Sequence, residues 1–162
     1  MVMVMSYYNP RKWISPDDQL IPDVENKLIT DKRAYSVQSG TGKSFKPPSS
    51  IELTVVIKET KETLRLIEWE DRQGKLSIEL TSIDNIFRKG HFNQDWHHNP
   101  NGNNIRPPHH IHFPTEKYPK LDRKPTYAYP VESENDYLNA LSKFCNDTNI
   151  ELRYASIPLL RR

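Results

Sequence analysis

Residues 51–80 read IELTVVIKETKETLRLIEWEDRQGKLSIEL, and their pattern decides the fold. Ile51, Leu53, Val55 and Ile57 alternate with Glu52, Thr54 and Lys58 at the period of two that marks a strand buried on one face. After the polar Lys58-Glu59-Thr60-Lys61 the alternation returns over residues 63–70. Leu64 and Leu66 lie on one face there, and Arg65, Ile67 and Trp69 on the other. Asp71-Arg72-Gln73-Gly74 turns the chain again, and Leu76, Ile78 and Leu80 mark a third strand. Strands joined by such short polar turns form an antiparallel meander with at least one buried face.

Upstream, residues 33–38 read as a further strand that ends in Ser39-Gly40-Thr41-Gly42-Lys43-Ser44. This Gly-Lys-Ser is not a phosphate-binding loop. The pattern requires a glycine five positions before Gly42, where Val37 stands, and Lys46-Pro47-Pro48 blocks the helix that must follow. A hairpin loop is the better reading. Residues 1–30 mix aromatic and basic groups with prolines and read as an arm packed on the domain, with one short helix within residues 23–30. Arg11-Lys12-Trp13 in this arm fits two roles. One is a contact to phosphate and base, and the other, commoner one is a Trp covering the core beside solvated charges.

Downstream, residues 114–131 are rich in proline and lysine and read as a loop crossing the domain, with Tyr118, Tyr127 and Tyr129 as packing or stacking groups. Ser133-Glu134-Asn135-Asp136 resembles a helix-capping box with Asp in the place of Glu or Gln. Tyr137, Leu138, Leu141, Phe144 and Cys145 follow at helical spacing as an apolar stripe. Ile150, Leu152 and Tyr154 alternate as a last strand before Arg161-Arg162. The class predicted is α+β: an antiparallel β-meander sheet of five or six strands with one C-terminal amphipathic helix packed on it. Residues 31–162 form the single domain and residues 1–30 its arm.

The totals agree. A chain of 162 residues, 35% of them hydrophobic, buries one modest core. With 23 Lys and Arg against 21 Asp and Glu, the charge permits a nucleic-acid partner without requiring one. The one cysteine, Cys145, excludes an internal disulfide and a cysteine-rich zinc site, and its place on the apolar stripe makes it a packing group. No run approaches the roughly 20 apolar residues of a membrane helix, and MVMVMSYY lacks the charged start and apolar core of a secretory signal. The expectation is a cytoplasmic protein without a membrane partner.

All six histidines fall within residues 91–112, HFNQDWHHNPNGNNIRPPHHIH. Histidine titrates nearest neutrality and is the commonest metal ligand, so this segment concentrates proton-transfer and metal-binding capacity. Phe92 and Trp96 can tether its first half to the core. Its second half reads as a strand in which His109, Ile111 and Phe113 point one way and His110 and His112 the other. The Asn-rich stretch between the halves is too long for a simple hairpin turn, and loops of that kind are often functional.

Three chemistries suit these residues. Metal-independent RNA cleavage needs a general base, a general acid and a cation on the phosphate. His110 and His112, with His97 or His98 as the second acid or base and Arg106 as the cation, can fill those roles without a cofactor. Arg88, Lys89 and Asp95 would then face the substrate. In the second chemistry, His91, His97, Asp95, His110 and His112 are ligands for a divalent metal such as zinc or manganese, serving a hydrolase. In the third, the histidines are polar surface and turn residues, and the chain is a non-catalytic module that binds nucleic acid or protein through Arg11-Lys12-Trp13 and the tyrosine-rich loop.

Asp95-x-His97-His98, a spacer rich in Asn and Pro, and then Pro108-His109-His110-x-His112 is similar to the motif of the TumE-like family of small bacterial toxin–antitoxin proteins. In that family an Asp precedes a His pair, and a Pro-His-x-x-His or His-x-His element follows on a strand. The resemblance spans roughly residues 50–150. Gln94 stands where the family carries an Arg, which leaves Arg106 as its substitute. The resemblance implies a meander closed by a C-terminal helix, an intracellular prokaryotic setting, a cognate antitoxin as partner and RNA as the target. The function expected is a histidine-dependent nuclease acting on RNA in a toxin–antitoxin or defence setting.

Overall fold

Side-chain alternation over residues 51–57, 63–70 and 76–80 becomes strand. The computed structural model describes residues 10–28, 34–42, 49–57, 61–82, 85–132 and 137–151. Lys43, Ser44 and the prolines after them, the polar residues 58–60, the capping sequence at residues 133–136, Leu152, Tyr154 and Arg161-Arg162 lie outside the described residues. The strands are Ala34–Gly42 (β1), Ser49–Ile57 (β2), Thr63–Glu70 (β3), Leu76–Thr81 (β4), Ile86–Phe92 (β5), His97–His98 (β6), Asn104–Ile105 (β7), His110–Phe113 (β8), Tyr127–Pro130 (β9) and Ile150–Glu151 (β10). Among the described residues two α-helices accompany them, Pro22–Asn26 (α1) and Tyr137–Asp147 (α2).

The fold is α+β, as the alternation predicts. The sheet order is β10-β1-β2-β3-β4-β5-β8-β9, antiparallel except where β10 runs parallel to β1, and β6 and β7 pair separately. Among the described residues the sheet therefore holds eight strands where five or six were expected. One of the additions is β9, which falls in a segment expected to be all loop. Its one proline, Pro130, ends it and is tolerated because β9 is an edge strand that, among the described residues, pairs with β8 alone.

The inner face is built from the residues that the sequence placed there. Leu53, Leu66 and Leu80 are successive partners across β2, β3 and β4, and each is at most 2% exposed. Leu141, Phe144 and Cys145 of α2 close over this face. The contact is tightest at Gly90, where an added Cβ would sit 2.8 Å from the Phe144 ring and 2.6 Å from that of Phe92. Only glycine lets the helix approach β5 so closely. At its end the Thr148 hydroxyl donates to the Phe144 carbonyl, and Asn149 takes a left-handed backbone (φ 63°) that turns the chain into β10.

The arm is part of the same core. Leu20, Val24 and Leu28 are buried in it, and Trp13 packs partly buried against it, beside exposed Arg11 and Lys12. Arg88 is fully buried, and its Nη2 donates to both carboxylate oxygens of Glu25 at 2.8 and 3.0 Å, pinning α1 to β5. This corrects the expected role of Arg88 in steering substrate phosphates. On β5 it shares the inner face with Gly90 and Phe92, so its charge answers Glu25 and does not reach the outer face.

Candidate metal centre

Strand register gathers the histidines. Trp69, Ser77, His91 and His110 are successive partners across β3, β4, β5 and β8, and Glu79, Lys89 and His112 form the adjacent row. Partners in register share a face, so His91, His110 and His112 stand together on the side of the sheet opposite Ile111 and the core. His109 points the other way, as alternation predicts; it is buried with its ring 5.5 Å from that of Phe92 and accepts the Asn93 backbone N–H at its Nδ1.

Three ring nitrogens converge. His112 Nε2 lies 3.1 Å from His110 Nε2 and 3.3 Å from His91 Nδ1, and one nitrogen from each ring lies within 4.8 Å of the others. One proton can occupy at most one of these contacts, whereas a cation satisfies all three lone pairs. The two spacings at His112 Nε2 suit that cation. Zinc bound to imidazole at roughly 2.0–2.1 Å in a tetrahedron sets its ligand atoms about 3.3–3.4 Å apart, and octahedral neighbours sit nearer about 3.0 Å.

The surroundings set the tautomer. His112 Nδ1 lies 2.8 Å from the buried Thr126 hydroxyl, and donation from Nδ1–H to that oxygen leaves the Nε2 lone pair facing the other two rings. His97 stands beside the triad. Its ring stacks on His110 with centroids 5.2 Å apart, and its Nε2–H donates to the Thr126 carbonyl at 2.8 Å. Asn99 fixes that neighbour by accepting the Ala128 N–H and donating to the Ala128 carbonyl, so the turn after β6 docks on β9 like an extra strand.

Burial keeps the rings neutral. Loss of water, reinforced by Lys89 and His97, lowers His91 to about 4; the same loss, with the neighbouring histidines, lowers His110 to about 3. His112 is held well below its ordinary value, again first by burial and then by His91 and His110. For His97 burial lowers the value, and its bonds to Thr126 and Asn99 oppose the shift. Neutral imidazole is the form that ligates metal.

The triad lies in a cleft of about 340 Å³ whose lining includes Lys75, Lys89, Arg123 and Lys124, against Asp95 and Asp122. The other residues singled out from the sequence divide as follows. His97 joins the triad as a packed neighbour, not as a converging ligand. Lys89 lines the cleft and is 3.5 Å from Glu79. Asp95 is exposed on the rim, where its carboxylate accepts the Trp96 backbone N–H. His98 lies on the opposite side of β6 from His97, exposed and bonded to Asn104 at 2.6 Å, so it is not part of the cluster. Arg106 is exposed with its guanidinium 5.8 Å over the Trp96 ring and does not reach the triad. Trp96 itself is 50% exposed and does not tether the segment; Phe92 does. Thr126 and Asn99 were not found from sequence. The signal for Thr126 was the Tyr127-Ala128-Tyr129 alternation that starts beside it and marks β9.

No protein-family model, curated protein or solved structure matches this chain. No helix among the described residues is long and apolar enough to cross a membrane.

Proposed function

We propose that this chain is a divalent-metal-dependent phosphodiester hydrolase whose ion is held by His91 Nδ1, His110 Nε2 and His112 Nε2. The approach of His110 Nε2 and His91 Nδ1 to His112 Nε2, at 3.1 and 3.3 Å with one nitrogen of each ring within 4.8 Å of the others in the lining of a cleft, carries the proposal. Three neutral imidazoles leave the double charge of the ion uncompensated, and Lys75, Arg123 and Lys124 add to it at the rim, so the substrate is an anion. An ion held by three histidines with positions left open acidifies bound water and draws charge from a phosphoryl oxygen. Thr126 orients His112, His97 walls the site and Lys89 meets the substrate phosphate. Of the two catalytic chemistries expected from the sequence, the metal-dependent one is favoured. The metal-independent route needs one imidazole protonated near neutral pH, and the buried triad disfavours that form.

A cytoplasmic setting and a toxin role with a cognate antitoxin belong to the same proposal, supported by the histidine motif and by the lone thiol. The test is hydrolysis of bis(p-nitrophenyl) phosphate by metal-stripped protein reloaded with zinc or manganese. Turnover that appears on reloading and vanishes in His112→Ala supports the proposal. Equal turnover with and without metal would sink it.

A further inference from the structure

We propose that Trp96 and Trp69 are base-stacking platforms near the triad, which makes the substrate of the proposed hydrolase a single-stranded nucleic acid. Among the described residues these two are the exposed large hydrophobic side chains, Trp96 at 50% and Trp69 at 45%. Trp96 adjoins the triad, and Trp69 lies farther along one of its rows. Trp96 lines the same cleft as His91, His110 and His112, and Arg106 backs its ring at 5.8 Å while half the side chain stays open to solvent. Trp69 shares the row Trp69, Ser77, His91, His110, two strands from His91 or roughly 10 Å at ordinary strand spacing. Only the short side chain of Ser77 stands between them in that row.

An indole held open beside a cationic cleft fits a ligand with both a flat apolar ring and a negative charge, repeated along a chain. Lys75, Lys89, Arg123 and Lys124 supply the charge for a phosphate backbone, against Asp95 and Asp122. Unpaired bases offer the ring faces, since the bases of a duplex are already stacked on one another. A base on Trp96 would bring a neighbouring phosphate to the metal-binding floor, and a base on Trp69 would extend the strand along the same face.

The inference rests on the hydrolase reading for its chemistry, but binding tests it separately. Fluorescence anisotropy would follow labelled rU12 and dT12, a duplex of equal length and heparin, with the full chain at moderate salt. Trp96→Ala is expected to weaken the single strands about 5- to 150-fold, the equivalent of 1–3 kcal/mol of stacking per base. Trp96→Phe should recover most of that affinity, heparin binding should be unmoved, and the duplex should bind more weakly than either strand. Comparing rU12 with dT12 identifies the sugar. Trp69→Ala should give a smaller loss of the same kind. Unchanged single-strand affinity in Trp96→Ala, an equal loss for heparin, or no binding by the wild type overturns the proposal. Metal content of the same variants separates the two readings. A metal-loaded protein with no stacking effect leaves the hydrolase standing alone, and a stacking effect in a protein that takes up no metal removes the hydrolase and keeps a strand-binding surface.

Discussion

Replacing Thr126 with valine removes one oxygen and little else. The side chain is 4% exposed and stays β-branched, so β9 and the packing around it are preserved. What is lost is the partner of His112 Nδ1, now 2.8 Å away. A buried imidazole N–H without an acceptor costs about 1–3 kcal/mol, and the ring relieves the cost by adopting the other tautomer or turning. Either change takes the Nε2 lone pair away from His91 and His110. Outer-shell substitutions of this kind typically weaken metal binding by about 10- to 100-fold, or roughly 1.4–2.8 kcal/mol. The assay is competition for zinc against a chromophoric chelator, with thermal unfolding of the metal-free proteins as the control for fold. Thr126→Ser should bind zinc like the wild type. If Thr126→Val binds zinc with unchanged affinity and unfolds at the wild-type temperature, Thr126 does not orient His112 and the assigned tautomer is wrong.

Other outcomes follow from the packing. Gly90→Ala drives a methyl into Phe92 and Phe144, an overpacking expected to cost about 1–3 kcal/mol, seen as a Tm lowered by roughly 2–12 °C; an unchanged Tm would show that α2 does not press on β5. Glu25→Ala leaves the buried Arg88 guanidinium without its carboxylate and should cost about 3–5 kcal/mol in urea unfolding, much more than Lys117→Ala at the exposed pair with Asp17. Cys145 is buried on the core-facing side of α2, and that burial pushes its thiol up to about 12, so it should resist a thiol-reactive dye in the native protein and react fully in denaturant.

Much of the fold was legible because period-two alternation reports burial directly. Leu53, Leu66 and Leu80 announced the inner face, and His109, Ile111 and Phe113 against His110 and His112 divided the histidine strand correctly. Alternation also held an unread signal in β5. Phe92, Gly90 and Arg88 share one parity and His91 and Lys89 the other, which already puts Arg88 inside and His91 beside the site. What alternation cannot report is which strands become neighbours. His91 meets His112 because β5 pairs with β8 across the whole β6 and β7 excursion, and Thr126 meets His112 because β9 adds to the far side of β8. Those pairings are set by long-range packing and by Asn99 docking on Ala128, not by any local pattern. The same holds for His97 and His98, neighbours in sequence that β6 sends to opposite sides, one onto the triad and one into solvent.

Metal analysis of tag-free protein tests most directly whether three histidines hold a metal ion. Full-length wild type and the variants His91→Ala, His110→Ala and His98→Ala would be purified without a histidine tag, equilibrated with zinc or manganese, desalted and measured by elemental analysis. The expected result is about one ion per chain in wild type and His98→Ala, and a small fraction of that in His91→Ala and His110→Ala. Wild type that retains no ion, or triad variants that retain as much as wild type, would contradict the claim.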